Sequence, residues 1–298
     1  MNDNVPVALF VYNRPEHTKR TIEALACNTL AAETDLYIFS DGYKTQKDRG
    51  NVEAVREYVD QSATAGSFRK VTVIKSPCNK GLAESIIAGV TQMITIAGSV
   101  IVLEDDLLTA PYFLQYMNEA LAYYESDERI WGVSAYSSRM KSVTKDVYFT
   151  PRISSWGWAT WKSRWEQVDW EIRSYPKFRL NLCKRWAFNR GGKDLSYMLD
   201  QQMRGRIDSW AIRFCYSQFE LKKYAVFPRI SLIRNIGQDG SGTHCREIME
   251  DDSFTSVYTD IGMTPFYIEK RIMKEYQRRK KISRLGLLRN YAMLLMGK

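Results

Sequence analysis

Residues 99–106 read Ser99-Val100-Ile101-Val102-Leu103-Glu104-Asp105-Asp106. Apolar, β-branched residues in unbroken succession mark a short strand buried on both faces, as in a parallel sheet. That strand ends in three carboxylates. Like charges crowded onto one sheet edge repel and raise one another's pKa. A divalent cation relieves such crowding, and carboxylate oxygens suit Mg²⁺ or Mn²⁺ held together with a substrate phosphate. Acids after a strand can equally be a solvated loop, or the cap and first turn of the next helix. Here the cap role falls to Thr109, just ahead of Pro111. The helix that follows carries Leu114, Met117, Leu121 and Tyr124 on one face. The acids lie upstream of it and are not needed to start it.

Outward from this segment the same texture repeats. Val5–Tyr12, Leu36–Ser40 and Val71–Lys75 are further short apolar runs, and helical patterns fill residues 15–28, 47–60 and 80–97. Alternation of this kind predicts an α/β fold: a Rossmann-like, mostly parallel sheet flanked by helices. Ligands of open parallel sheets bind beyond the carboxyl ends of the strands. Those ends read Asn13-Arg14-Pro15, Ser40-Asp41-Gly42, Pro77-Cys78-Asn79-Lys80-Gly81 and Glu104-Asp105-Asp106. Singly each can be a turn. Together, with acids and bases mixed on one edge, they favour a site for a charged ligand. Gly-x-Gly-x-x-Gly and a Walker A lysine motif are both absent, so a dinucleotide fold and a P-loop nucleotidase are not indicated.

The chain has 298 residues, 45% hydrophobic and 26% charged, a globular composition with ample length for a core. It holds no run of 18 apolar residues and no basic-then-apolar start, so neither a transmembrane helix nor a secretory signal is expected. Five scattered cysteines without a Cys-x-x-Cys pair suggest reduced thiols. Two histidines argue against a His/Cys zinc site. The expected location is therefore the cytoplasm. Residues 269–298 hold ten Lys/Arg and two Glu, eight of the nine net positive charges. The body is nearly neutral, which counts against a nucleic-acid partner. In the tail, Leu285, Leu288, Ala292 and Leu295 follow helical spacing behind Arg278-Arg279-Lys280-Lys281. This is the pattern of a helix packed on the body, or of a basic amphipathic helix lying on the anionic inner face of the cell membrane.

Five of the eight tryptophans fall between Trp156 and Trp170. Trp158, Trp161 and Trp165 have the spacing of one helix face, which suits either core or a wall that stacks a flat sugar or base. Residues 193–222 look helical, Ala225–Pro228 and Ser231–Ile236 extended, and Gly237-Gln238-Asp239-Gly240-Ser241-Gly242-Thr243-His244 is a glycine-rich loop.

Taken in order, these motifs resemble the GT-A fold glycosyltransferases, within family 2-like sequences and particularly the N-acetylglucosaminyltransferase I family. The triple acid resembles that family's Glu-Asp-Asp, Trp156-Gly157-Trp158 its Gly-Trp segment, Asp208-Ser209-Trp210 its Asp-Asp-Trp, and the stretch from Pro228 to His244 its closing loop. The match covers roughly residues 5–245 and leaves out the basic tail. It implies a nucleotide-sugar donor, most often a UDP-sugar, and Mn²⁺ or Mg²⁺. It implies donor contacts from Asn13, Arg14, Asp41, Asn79, Lys80, Gly81, Glu104 and Asp105, with Asp106 the metal ligand. Asp208 becomes the base of an inverting transfer, although Ser209 stands where the family has a second acid. Asp239 and His244 become loop or phosphate contacts, and Trp156, Trp158 and Trp210 an acceptor wall. The expected organisation is a nucleotide-sugar-binding half (1–128), an acceptor-binding and catalytic half of the same domain (129–265) and the tail (266–298). The implied function is transfer of a sugar to a glycan or lipid-linked saccharide in cell-surface polysaccharide or lipopolysaccharide synthesis. Two other readings stand beside it: a sugar-1-phosphate nucleotidyltransferase, and a non-catalytic membrane- or nucleic-acid-binding module.

Overall fold

Consecutive apolar residues fill both faces of the first strands, so each must be covered on two sides. In a computed structural model of the chain, describing residues 4–239, residue 254 and residues 260–279, this is how they sit. His244, the series from Leu285 to Leu295 and the basic residues beyond Arg279 lie outside the described residues. The N-terminal half alternates: β1 (Val7–Val11), α1 (Pro15–Ala26), β2 (Asp35–Ser40), α2 (Arg49–Ser62), β3 (Lys70–Lys75), α3 (Leu82–Ala97) and β4 (Ser99–Glu104). Then come β5 (Leu107–Thr109), α4 (Phe113–Tyr124), β6 (Ile130–Ser134), β7 (Val147–Thr150), β8 (Trp158–Trp161) and α5 (Lys162–Trp165). A helical section follows, α6 (Tyr175–Arg179), α7 (Leu182–Phe188), α8 (Leu195–Met203) and α9 (Trp210–Glu220), and the chain closes with β9 (Tyr224–Pro228), β10 (Ile233–Asn235) and α10 (Lys270–Arg279).

Eight strands form one sheet in the order β3-β2-β1-β4-β8-β6-β9-β7. The first four run parallel, as do β6 and β9, while β4–β8, β8–β6 and β9–β7 are antiparallel. This is the α/β layout expected of a GT-A type domain, and its eight-stranded sheet runs through both halves; β5 and β10 form a separate two-stranded sheet. Alternate residues of β1 serve opposite layers. Val7, Leu9 and Val11 meet Ile22, Leu25, Val55 and Val59 from α1 and α2, with α4 behind β4 and β6 on the same side. Ala8 and Phe10 meet Ile86, Val90 and Met93 of α3 on the other side.

Two readings change. Trp158 and Trp161 stand in β8, not on a helix, and only Trp165 is helical; spacings of three and seven also fit a strand that runs straight into a helical turn. Thr109 caps no helix. It ends β5, where its Oγ1 accepts a hydrogen bond from Asn28 Nδ2 at 3.0 Å, and α4 begins at Phe113. The described part of the tail, α10, lies on the body: Ile272, Met273 and Tyr276 are buried, and Gln277 Nε2 donates to Asn189 O at 3.1 Å.

The tryptophans form the second core layer. Trp158 stacks on Trp210 with centroids 4.7 Å apart and on Trp165 at 6.0 Å, and Phe214 packs against all three. Fully buried aromatics dominate core energetics. Trp158→Ala should therefore cost about 3–5 kcal/mol of stability in chemical denaturation. A variant as stable as the parent but altered in ligand affinity would return Trp158 to the ligand wall.

Candidate active site

Parallel pairing brings the polar strand ends to one edge. Phe10 of β1 lies opposite Glu104 of β4, and Val11 opposite Ser40 of β2. The turn after β1 therefore rises beside the acids. Arg14 precedes α1 and Pro15 supplies its first residue, a position where a missing N–H costs nothing. From there Arg14 Nη1 donates to Asp106 Oδ2 at 2.9 Å. Its Nη2 donates to Gly237 O at 3.4 Å and to Asp239 Oδ1 at 3.3 Å. His17, one turn along α1, places Nε2 3.3 Å from Arg14 Nη2 and 3.2 Å from Asp239 Oδ2. The two contacts are exclusive: bare, Nε2 accepts from Arg14; protonated, it donates to Asp239. In the sequence His17 carries one signal, its spacing of three from Arg14 at a helix start.

Residues 237–239 reach this place because β10 pairs antiparallel with β5, directly after the acids. Ile236 N–H donates to Asp106 O at 2.9 Å. A Cβ on Gly237 would stand 2.0 Å from Asp106 Oδ2 and 2.9 Å from Arg14 Nη1, so any larger residue would have to displace the Arg14–Asp106 pair.

The three acids do not converge. Asp105 Oδ2 accepts from Tyr12 N–H at 3.3 Å, while Asp106 faces Arg14. Among the described residues no three His, Cys, Asp or Glu side chains form a metal-holding group. Their electrostatics are nonetheless those of a donor set short of positive charge. Burial, then the neighbouring Asp106 and Asp105, push Glu104 up to about 8. Burial and Asp106 push Asp105 up to about 7, with Arg14 pulling the other way. Burial also raises Asp106 against the pull of Arg14. A single carboxylate completed by substrate phosphates is an ordinary Mg²⁺ arrangement, and Asp106 fits that mode.

Asp41 and the loop after β3 make a second cluster. The Asp41 carboxylate accepts from the N–H groups of Gly42 (2.9 Å), Lys80 (2.9 and 3.2 Å) and Gly81 (3.0 Å) and from Asn79 Nδ2 (3.0 Å). Gly81, with φ +79°, turns the chain into α3. A nucleoside contact from Asp41 must share oxygens that already hold this loop, and Lys80 leaves its side chain exposed. Arg56 was missed. It ties the ends of β2 and β3 through Asp41 O at 3.2 Å and Ser76 O at 2.6 Å, and nothing in a lone helical arginine announces that. Asn13 turns its amide to Asp48 Oδ1 at 3.2 Å.

Asp208 lies just ahead of α9. It is 67% exposed, pairs with Arg213 Nη2 at 2.9 Å, and leaves the cap of α9 to Ser209, whose Oγ accepts from Ile212 N–H. Trp158 and Trp210 are buried in the core rather than on an open wall. Trp156 is half-buried, packed edge-on against Tyr136 at 4.6 Å. Because β8 runs antiparallel to β4 with Trp158 opposite Val102, Trp156 lies toward the acidic end of β4.

No protein-family model and no curated protein matches the chain. Solved structures do align with it, the following two among them. A UDP-glucose pyrophosphorylase complexed with UDP-glucose shares 11% identity over 76% of this chain and 91% of that one, at TM-score 0.37. An active-site mutant of LgtC shares 10% over 72% of this chain and 70% of that one, at TM-score 0.35. Likeness this distant adds nothing to the fold read from the strands and says nothing of activity.

The raised acids carry a pH signature. In the unfolded chain these carboxyls titrate near 4. Between there and about 8 the native state holds the extra protons, so stability falls as pH rises. With chelator present, the melting temperature should drop from about pH 6 to about pH 9, and Glu104→Gln should flatten that drop. A wild-type curve already as flat as the variant's would mean the acids are solvated.

Proposed function

We propose that the chain is a glycosyltransferase that moves a sugar from a nucleoside-diphosphate sugar, a UDP-sugar, to a saccharide acceptor on a glycan or lipid. The observation that carries the reading is Asp106 at the carboxyl edge of the parallel strands, facing Arg14 with Gly237 and Asp239 across it. Here acid, guanidinium and a chain-crossing loop surround the place where an open sheet takes its ligand. Mn²⁺ or Mg²⁺ would be held by Asp106 and, when bound, would neutralise charge on a diphosphate. Arg14 supplies fixed positive charge on the same spot, suited to phosphate oxygens. The loop that Asp41 holds would border the nucleoside. Asp208, exposed and paired, is the candidate to take the acceptor hydroxyl's proton in an inverting transfer. The products would serve cell-surface polysaccharide or lipopolysaccharide synthesis.

A sugar-1-phosphate nucleotidyltransferase would use the same edge and the same nucleotide. Asn13-Arg14-Pro15 after β1, in place of a glycine-rich loop, favours transfer to a saccharide. The deciding assay is hydrolysis and transfer of UDP-, GDP- and dTDP-sugars with and without Mn²⁺, beside pyrophosphorolysis of the same donors. Pyrophosphorolysis alone would make the chain a nucleotidyltransferase.

Calorimetry of UDP with Mn²⁺ should lose about tenfold or more in affinity in Asp106→Ala, as expected from a charged contact worth roughly 1.5–3 kcal/mol, and comparably with chelator. Equal affinity in all three conditions rejects the metal role. Asp208→Asn should keep UDP affinity and lose turnover by about 10²–10⁴-fold. A variant that turns over at the wild-type rate removes Asp208 from the chemistry.

A further inference from the structure

Residues 172–193 contain seven Lys/Arg and no Asp or Glu. The three most exposed large apolar side chains among the described residues fall inside this stretch: Leu180 (61%), Leu182 (65%) and Trp186 (69%). Leu182 and Trp186 are one turn apart on α7, so they share a face. That face is held rigidly from behind. Phe178 and Phe188 are buried with Leu195, Leu199, Ile212 and Tyr216. Arg185 points inward onto Asp200, Nη2 to Oδ2 2.6 Å, with both groups buried. An ordered surface that leaves tryptophan and leucine in water side by side marks an interaction site.

Charge narrows the occupant. Lys177, Lys184, Arg190 and Lys193 are exposed around the apolar residues. Two neighbouring acids are engaged: Glu220 by Lys184 at 3.3 Å and Asp194 by Arg152 at 2.8 Å. α10 packs against the turn that follows α7, and its Lys274 and Arg278 are exposed, so a second basic element adjoins the first. The chain's own residues 280–298 carry five Lys/Arg and no acid, and like charge disfavours them as the cover. Basic residues around exposed Trp and Leu are what an anionic lipid surface selects, the rings and leucines at headgroup depth and the cations on phosphates.

We propose that α6, α7 and the turn after them are a docking face for an anionic phospholipid membrane, with Leu182 and Trp186 entering the headgroup region. No helix of the described residues is long and apolar enough to cross a membrane, so the contact is peripheral. This inference does not depend on the proposed transferase activity.

The test is co-sedimentation of the full-length chain with phosphatidylcholine vesicles, alone or mixed with phosphatidylglycerol, at low and high salt. The chain should pellet with the mixed vesicles at low salt and stay in solution with phosphatidylcholine alone. The Leu182→Ser/Trp186→Ser variant keeps every charge and should lose about tenfold or more of that partitioning, the apolar contribution of two anchors. Both positions are exposed, so its circular dichroism and melting should match the parent. In Trp186→Phe, which still binds, quenching of tryptophan fluorescence by brominated acyl chains should fall. Binding of the double variant equal to wild type would assign attachment to charge or to residues 280–298 and overturn the proposal. So would a vesicle-free dimer of the wild type that the double variant abolishes, because the face would then belong to a second copy.

Discussion

Three acids can end a buried strand only if something answers their charge, and in this protein that group is Arg14. Its guanidinium meets Asp106 at 2.9 Å with both side chains largely covered. The placement is not a local accident. Arg14 follows a strand that must pair in parallel with β4, and it precedes a helix whose proline fixes the direction of departure. Asp106 precedes β5, whose antiparallel partner delivers Gly237 and Asp239. One ion pair thus ties the beginning of the chain to the end of β4 and, through the second arm of Arg14, to a loop more than two hundred residues away. Removing one partner of a covered pair is costly because it strands the other charge. The arrangement therefore stabilises the fold and, under the proposed function, presents a charged edge to a charged ligand.

The N-terminal half was legible because its strands are apolar on both faces. Val100–Leu103 and Val7–Val11 have no competing helical period, and their order along the chain implied their parallel pairing. The polar strand ends could then be assigned to one edge before any coordinates. Contacts closed by tertiary geometry were not legible. Asp41 was read as a nucleoside contact, and its loop-holding bonds to Lys80 and Gly81 depend on the distance between the ends of β2 and β3, which composition does not encode. Arg56 had no sequence signal at all. His17 had one, the interval from Arg14, but its meaning required Asp239.

The tryptophan stretch was misread for a reason intrinsic to periodicity. Trp158, Trp161 and Trp165 match a helical face, yet a four-residue strand followed by a single helical turn yields the same intervals. What decides is the neighbour: Ala159 lies opposite both Ile101 and Val133, so β8 must be extended to bridge β4 and β6. Once there, Trp158 projects into the layer already occupied by α3 and α9 and is buried by Trp210 and Phe214. The aromatic wealth of this region builds the seam that joins the two halves of the sheet. Trp156 lies toward the acidic end of β4.

The charge distribution follows a similar logic. The sequence put eight of nine net positive charges in the tail, which drew the membrane expectation to the C-terminal 266–298. Counting net charge hid a second basic element, because the seven Lys/Arg of residues 172–193 are offset in the count by acids elsewhere in the chain, and those nearest them are held in ion pairs. Asp200 is buried on Arg185 and Asp194 turns to Arg152. Burial on one side and exposure on the other turn a chain segment of unremarkable composition into a one-sided basic surface. Trp186 and Leu182 acquire their significance in the same way. A leucine and a tryptophan four residues apart ordinarily signal the inner face of a helix, but here Arg185 and Phe188 take that face. Arg185 can do so because Asp200 meets its charge inside. The buried ion pair therefore determines which side of α7 faces the core, and by that choice it turns the apolar pair outward.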